Sequence, residues 1–160
     1  MKAANVTELK RELSHLDKNE LIAISLRLSR FKKENKELLT YLLFESGNES
    51  QYVESVKEEM DNMFNAIPVD HNIYFKLKMI RKILRTTNKF IRYSDEDTTK
   101  VELLIHFCDQ VNSIVPDRSK RQALENLYNS TLDKIIKTIN TLHEDVQMDY
   151  ESILRRLSPN

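Results

Sequence analysis

Four histidines, one cysteine and one run of basic residues are the parts of this sequence whose side chains could do chemistry. Glu12 and His15 stand three residues apart, so a helix would place both on one face. Di-metal carboxylate proteins use this Glu-x-x-His spacing, but they need a second such pair, and the sequence contains none. We therefore interpret Glu12 and His15 as a surface ion pair, and we predict no metal or cofactor site.

His106 has an acidic residue on either side at helical spacing, Glu102 four residues before it and Asp109 three residues after it. Cys108 is two residues from His106, but side chains at that separation point to different helix faces, so the histidine would not activate the thiol. We predict that Cys108 is buried and that no residue is catalytic. We favour a non-enzymatic protein; an enzyme stays open and would need His106 to meet Asp109 or Glu102 in one pocket.

Residues 71–94 carry the most unusual pattern, because they contain seven Lys or Arg and no Asp or Glu. At about 100° per helical residue, most of these cations fall within an arc of roughly 100°. This set, the basic stripe, consists of Lys78, Arg81, Lys82, Arg85, Lys89 and Arg92. Apolar residues occupy most of the remaining positions, so the basic stripe is predicted to face outward and to bind an anionic partner.

Two kinds of partner suit the basic stripe, and they lead to two predicted functions. The favoured one is a protein, which would make the chain a non-enzymatic helical interaction or scaffold module. The alternative is nucleic acid, bound by the same stripe of a helical-repeat protein. Residues 48–67 are rich in Asp and Glu, so salt bridges between two neighbouring helices are a simpler explanation of the stripe.

The composition predicts one all-α domain covering residues 1–160. One Gly and three Pro indicate few sharp turns, because Gly permits left-handed backbone and Pro interrupts helices. With 25 Lys or Arg and 25 Asp or Glu, the net charge gives no sign of a nucleic-acid or membrane partner. One Cys and an N-terminus without an apolar signal predict a cytoplasmic protein. No apolar run approaches the ~20 residues of a membrane span, so no membrane partner is expected.

Apolar side chains at steps of three and four residues predict six to eight antiparallel helices. The predicted segments are Thr7–His15, a helix capped by Asp17 with Glu20 three residues later, Asn35–Ser46, 48–67, 70–93, 94–115, 117–146 and 149–157, the last either separate or continuous with the one before. The Asn35–Ser46 helix is apolar nearly all round, which predicts a central, buried position. The 117–146 helix is the longest, and a homo-oligomer could form through it.

Short predicted loops make successive helices antiparallel neighbours. Two arrangements of such helices fit the pattern. One is a stack of helical hairpins, a HEAT-like α-solenoid with about 45 residues per hairpin. The other is a compact helical bundle, and both stay open at this point.

Overall fold

The computed structural model describes residues 2–115 and 121–158. The described residues are mostly helical and contain no β-strand, which confirms the all-α prediction. Their helices are α1 (Val6–Leu13), α2 (Lys18–Phe31), α3 (Lys33–Thr40), α4 (Glu49–Asn65), α5 (Ile73–Ile91), α6 (Asp97–Ile114), α7 (Gln122–Ile139) and α8 (Glu144–Leu157), with a π-helix, Tyr41–Glu45, between α3 and α4.

Side-chain caps fix where several of these helices begin. Asp17 and Glu20 form the predicted capping box, in which each side chain accepts the other residue's backbone N–H at 2.9 Å. Asn48 caps α4, as predicted, by accepting from the Gln51 N–H at 3.3 Å. The predicted cap of α5 at Asp70 is wrong. Asn72 caps that helix instead, because its amide oxygen accepts from the backbone of the third helical residue.

The chain contacts form two compact units, unit 1 (Met1–Phe44) and unit 2 (Glu45–Asn160). In unit 1, α2 packs against α3, and the Asn35 side-chain amide donates to the Leu28 carbonyl at 2.9 Å. Among the described residues of unit 1, only Tyr41 is buried. The prediction of one domain over residues 1–160 stays a prediction.

The predicted burial of the Asn35–Ser46 helix is wrong. That segment forms α3 followed by the π-helix, and Leu42, Leu43 and Phe44 are 54%, 65% and 77% exposed. The physical reason is the number of neighbours, because one helix, α2, can cover only one side of α3. A segment that is apolar all round therefore keeps much of its apolar surface in contact with solvent.

Unit 2 is built around α6, which packs against α4, α5 and α7, while α8 packs against α7. Its side chains fill the centre of the unit, and the predicted burial of Cys108 is confirmed. The Phe64 and Phe107 rings contact each other with centroids 5.7 Å apart. The largest fully buried side chains are Tyr128, Phe64, Phe107, Met60, Ile80, Ile83, Leu103, Leu104, Leu124, Ile135, Leu157 and Val101.

The predicted single helix from Asp117 to Val146 is wrong at its C-terminal end. Its predicted start lies outside the described residues, and α7 ends at Ile139. His143 then caps α8 by accepting from the Asp145 N–H at 3.4 Å. Acidic residues favour a helix start here, because Glu144 and Asp145 meet the positive end of the α8 dipole.

Tyr128 connects three helices of unit 2. Its hydroxyl donates to the Leu157 carbonyl at 3.0 Å and accepts from the Asn112 side-chain amide at 3.1 Å. Tyr128 is fully buried, and its hydrogen bond to Leu157 is shielded from water. The end of α8 is thus fixed against α6 and α7. In the described ranges, no helix combines the length and apolar character needed to cross a membrane.

Candidate anion-binding surface

The basic stripe lies on α5, and the opposite side of that helix anchors it to unit 2. Ile80, Ile83 and Thr87 are fully buried at successive turns. Near the C-terminal end of α5, the Tyr52 hydroxyl donates to the Phe90 carbonyl at 2.9 Å. These contacts hold the helix in one orientation, so its charged side points away from the core.

The structure places the basic stripe on the outside of unit 2. Lys78, Arg81, Lys82, Arg85 and Arg92 are all exposed. Lys89 is half-buried, and its ammonium group lies 4.4 Å from the centroid of the Phe90 ring. From residue 78 to residue 92 the stripe runs about 21 Å along the helix axis, at 1.5 Å per residue.

One end of the basic stripe forms a shallow cleft of about 320 Å³. Lys78, Arg81 and Arg85 line it together with Tyr74 and Leu77. Tyr74 is 78% exposed and Leu77 is half-buried. The cleft therefore offers three cations next to an aromatic ring and an aliphatic side chain.

The acidic residues of α4 interact mainly with α6 and with α4 itself. Glu49 accepts hydrogen bonds from the Ser94 and Thr99 hydroxyls, and Glu54 pairs with Lys57 at 2.7 Å. Within the residues that the structure describes, no ion pair reaches the five exposed members of the basic stripe: Lys78, Arg81, Lys82, Arg85 and Arg92. Their charges are consequently left to solvent and to any partner.

A second cleft, of about 430 Å³, lies between α4, α6 and α8 and contains the residues considered for an enzyme. Glu102, His106 and Asp109 all line it. It is also lined by Asp149 and Tyr150 from α8. The sequence pattern alone did not indicate the α8 residues, because they lie on a different helix, far along the chain from α6.

Each ionisable side chain that α6 contributes to this second cleft already has a partner. His106 Nε2 lies 2.6 Å from Asp61 Oδ1, and that same oxygen accepts from Gln110 at 2.9 Å. Asp109 accepts from the Arg156 guanidinium at 2.8 Å. These are polar contacts that join helices, since His106 and Asp109 bind different partners rather than each other.

Lys57 is the central cation of the second cleft. It binds Glu54 at 2.7 Å and Glu102 at 3.2 Å. Burial by itself would lower the pKa of Lys57, but the hydrogen bonds to the two carboxylates outweigh it and the pKa is raised. The hydrogen bond from Lys57 in turn lowers the pKa of Glu54. Burial, followed by the charges of Glu102 and Asp149, raises the pKa of the Tyr150 hydroxyl.

The predicted ion pair between Glu12 and His15 is wrong, since no ion pair among the described residues joins them. Glu12 pairs with the Arg11 guanidinium at 3.1 Å, and Glu12 and His15 are both exposed. Across the described ranges, no cluster of three or more His, Cys, Asp or Glu could hold a metal ion.

No family model, curated protein or solved structure matches this chain. The fold and the surface define it only as a class: an all-α protein whose helix α5 carries an exposed row of cations. Its function therefore has to be argued from the surface itself.

Proposed function

We propose that this chain is a non-enzymatic interaction module that binds an acidic segment of a protein partner along the basic stripe. The observation that supports this is the row of exposed cations on α5 without acidic partners in the described part of the chain. Like charges at i and i+4 repel by tenths of a kcal/mol per pair. A carboxylate-rich partner would turn that repulsion into attraction.

The side chains that line the cleft at one end of the basic stripe indicate which chemical groups the partner should carry. Lys78, Arg81 and Arg85 favour carboxylates, while Tyr74 and Leu77 offer apolar surface. A partner with acidic residues and an apolar anchor would use both kinds of group. Arg81 and Arg85 are the residues most able to form paired hydrogen bonds to a carboxylate.

The test is binding of a fluorescent peptide that carries alternating acidic and leucine residues, followed by fluorescence anisotropy. The double variant Arg81→Glu/Arg85→Glu should weaken binding at least about tenfold, because two attractive contacts become repulsive. The matched control is Lys134→Glu/Lys137→Glu, which makes the same charge change on two exposed residues of α7. The control should bind the peptide nearly as well as the unaltered protein does. Equal losses in both variants would contradict the proposal.

The same assay with single- and double-stranded oligonucleotides tests the alternative partner. If an oligonucleotide binds more tightly than the peptide and its affinity falls steeply as salt is added, the partner of the basic stripe is nucleic acid rather than a protein. Absence of binding to either probe at low salt would contradict any anion-binding role for the stripe. We also propose a cytoplasmic location, since the one cysteine is a buried free thiol.

A further inference from the structure

Unit 1 carries an apolar face that the packing of α2 against α3 leaves uncovered. Its large side chains are between 36% and 77% exposed. They are Leu21, Ile24, Leu28 and Phe31 of α2, Leu38 of α3 and Leu42 of the π-helix; we call this set the α2–α3 face. Leu28, Leu38 and Leu42 line a groove of about 350 Å³ within it.

The α2–α3 face is large enough to form part of a protein interface. Half-exposed side chains of this size each leave about 50–100 Å² in contact with water, which gives several hundred Å² for the face. A standard interface takes about 800 Å² from each partner, so this face would supply roughly half of one side.

The spacing of the α2 residues suits another helix as the covering element. Leu21, Ile24, Leu28 and Phe31 follow one another at steps of three, four and three residues. These steps are the a and d positions of a heptad, whose side chains interdigitate with those of a facing helix. The face therefore fits a helix better than a flat or irregular surface.

The charged residues beside the α2–α3 face indicate which helix covers it. Glu20 and Arg27 are seven residues apart, so they lie two turns apart on the same edge of the face. If a second α2 ran antiparallel about a two-fold axis next to Ile24, Glu20 of each copy would lie opposite Arg27 of the other. One carboxylate oxygen of Glu20 caps α2, which leaves the second oxygen for such a contact. In a parallel pair, the same heptad position of the two helices lies on opposite sides of the seam, so Glu20 and Arg27 would not meet.

We propose that the α2–α3 face binds the same face of a second copy of this chain, with the two α2 helices antiparallel. The two hairpins would then form a four-helix bundle with an isologous interface. Two Glu20–Arg27 pairs, related by the two-fold axis, would set its orientation. This site is separate from the basic stripe and does not depend on the partner proposed for that stripe.

The experiment is sedimentation velocity of the full chain over a range of concentrations, with charge-reversal variants. The unaltered protein should form dimers. Glu20→Arg or Arg27→Glu alone should weaken self-association about tenfold, because each change turns two attractive pairs into repulsive ones. A mixture of the two variants should recover dimers. The first variant carries an arginine at both positions and the second carries a glutamate at both, so every pair in the mixed dimer is attractive.

The recovery in the mixture separates docking from a folding defect. Glu20→Arg also removes half of a capping box, but no loss of helix stability could be repaired by adding a second variant protein. The matched control is Arg30→Glu, since Arg30 is exposed and points away from the α2–α3 face. That variant should dimerise as the unaltered protein does.

Three results would overturn the proposal. One is a chain that stays monomeric at every concentration. Binding of such a monomer to anionic lipid vesicles would show that the α2–α3 face contacts a membrane surface instead of a second copy. Another is a mixture of Glu20→Arg and Arg27→Glu that associates no better than either variant alone. The third is a dimer that survives Ile24→Glu, because Ile24 is 39% exposed in the unpaired face and would lie next to the two-fold axis.

Discussion

Unit 1 and unit 2 bury their apolar residues to very different extents. In the described part of unit 2, only Val69, Tyr74 and Met148 are exposed large apolar residues, and the side chains around α6 form a buried core. In unit 1, Tyr41 alone is buried among the described residues, and the leucines and phenylalanines of α2 and the π-helix are largely exposed. Both regions show the same helical periodicity in the sequence, so periodicity alone does not determine burial.

The difference is one of available neighbours. α6 has three helices packed around it, whereas α2 and α3 have mainly each other. Apolar periodicity creates a face that must be covered, but it does not supply the element that covers it. A well-formed helix with an exposed apolar face therefore indicates that the helix lacks a packing partner, rather than that the chain lacks a hydrophobic core.

The largest effect that tests this comparison comes from a matched pair of substitutions. Phe107→Ala should lower the free energy of unfolding by about 3–5 kcal/mol, because the side chain is fully buried against Phe64. Phe44→Ala, at a side chain that is 77% exposed, should change it by less than about 0.5 kcal/mol. The measurement is urea unfolding monitored by near-ultraviolet circular dichroism. All tyrosines except Tyr41 lie in unit 2, so the signal reports mainly on that unit. Equal changes in the free energy of unfolding for the two variants would contradict the difference in burial between unit 1 and unit 2.

The sequence predicted the local features of the fold, but not the contacts between distant segments. The helices, the caps at Asp17 and Asn48 and the burial of Cys108 followed from local spacing, because each depends on residues within a turn or two. The exposure of α3 did not follow, because it depends on which distant segments pack against that helix. The break after Ile139 was missed because the apolar spacing continues through Leu142 and Val146.

A smaller effect is expected within the core of unit 2. Tyr128→Phe should lower the free energy of unfolding by about 1–2 kcal/mol, since it leaves the buried Leu157 carbonyl and Asn112 amide without their shared partner. The effect should appear mainly as faster amide hydrogen exchange in α8. Tyr74→Phe is the control, because that tyrosine is 78% exposed, and no change in exchange is expected. Unchanged protection of α8 in Tyr128→Phe would show that other contacts hold that helix.

Weaker still is the effect of the ion pairs in the second cleft. Lys57→Met should lower the Tm by about 2–4 °C near neutral pH, because Glu54 and Glu102 lose their shared cation. The raised pKa of Lys57 means that its contribution is complete below the ordinary value of 10.5 and is lost as the pH rises through the raised value. The lowered pKa of Glu54 means that its contribution is present above the ordinary value of 4.5 and is lost as the pH falls.

The difference in Tm between Lys57→Met and the unaltered protein should therefore be flat between those two ordinary values and shrink on both sides. Thermal unfolding at a series of pH values measures it. Lys134→Met is the control, since that lysine is exposed and has no acidic partner among the described ion pairs. A difference that does not shrink in acid would mean that Lys57 acts through packing of its aliphatic stem rather than through Glu54.

The two candidate sites show the same limit on sequence prediction as the fold. The basic stripe was predicted from one helix, because all its members lie within 15 consecutive positions of α5 and its C-terminal cap. The partners of His106 and Asp109 were missed. Asp61 lies 45 residues from His106 and Arg156 lies 47 residues from Asp109, so no local spacing could connect them. A surface feature on one helix can be found in the sequence, whereas a network between helices needs the fold.

The smallest expected effect also carries the most information about function. Arg85 has Arg81 four residues before it and Lys89 four residues after it, so Arg85→Glu replaces repulsion along α5 by attraction. The free energy of unfolding should rise by about 0.3–0.5 kcal/mol, and the gain should disappear in about 1 M salt, where the Debye length is about 3 Å. Lys134→Glu should give a smaller gain, since only one cation, Lys137, lies one turn away from it, whereas Arg85 has Arg81, Lys82 and Lys89 at such positions.

The sign of this change in the free energy of unfolding distinguishes two explanations of the basic stripe. If the stripe were held by acidic side chains of the same chain, Arg85→Glu would remove an attraction and the protein would be less stable. If the stripe exists for a partner, the same substitution should stabilise the free protein and weaken its binding of the acidic peptide. Opposite signs for stability and binding are expected for residues kept for recognition at the expense of the fold, and denaturant titration with peptide anisotropy on one variant measures both.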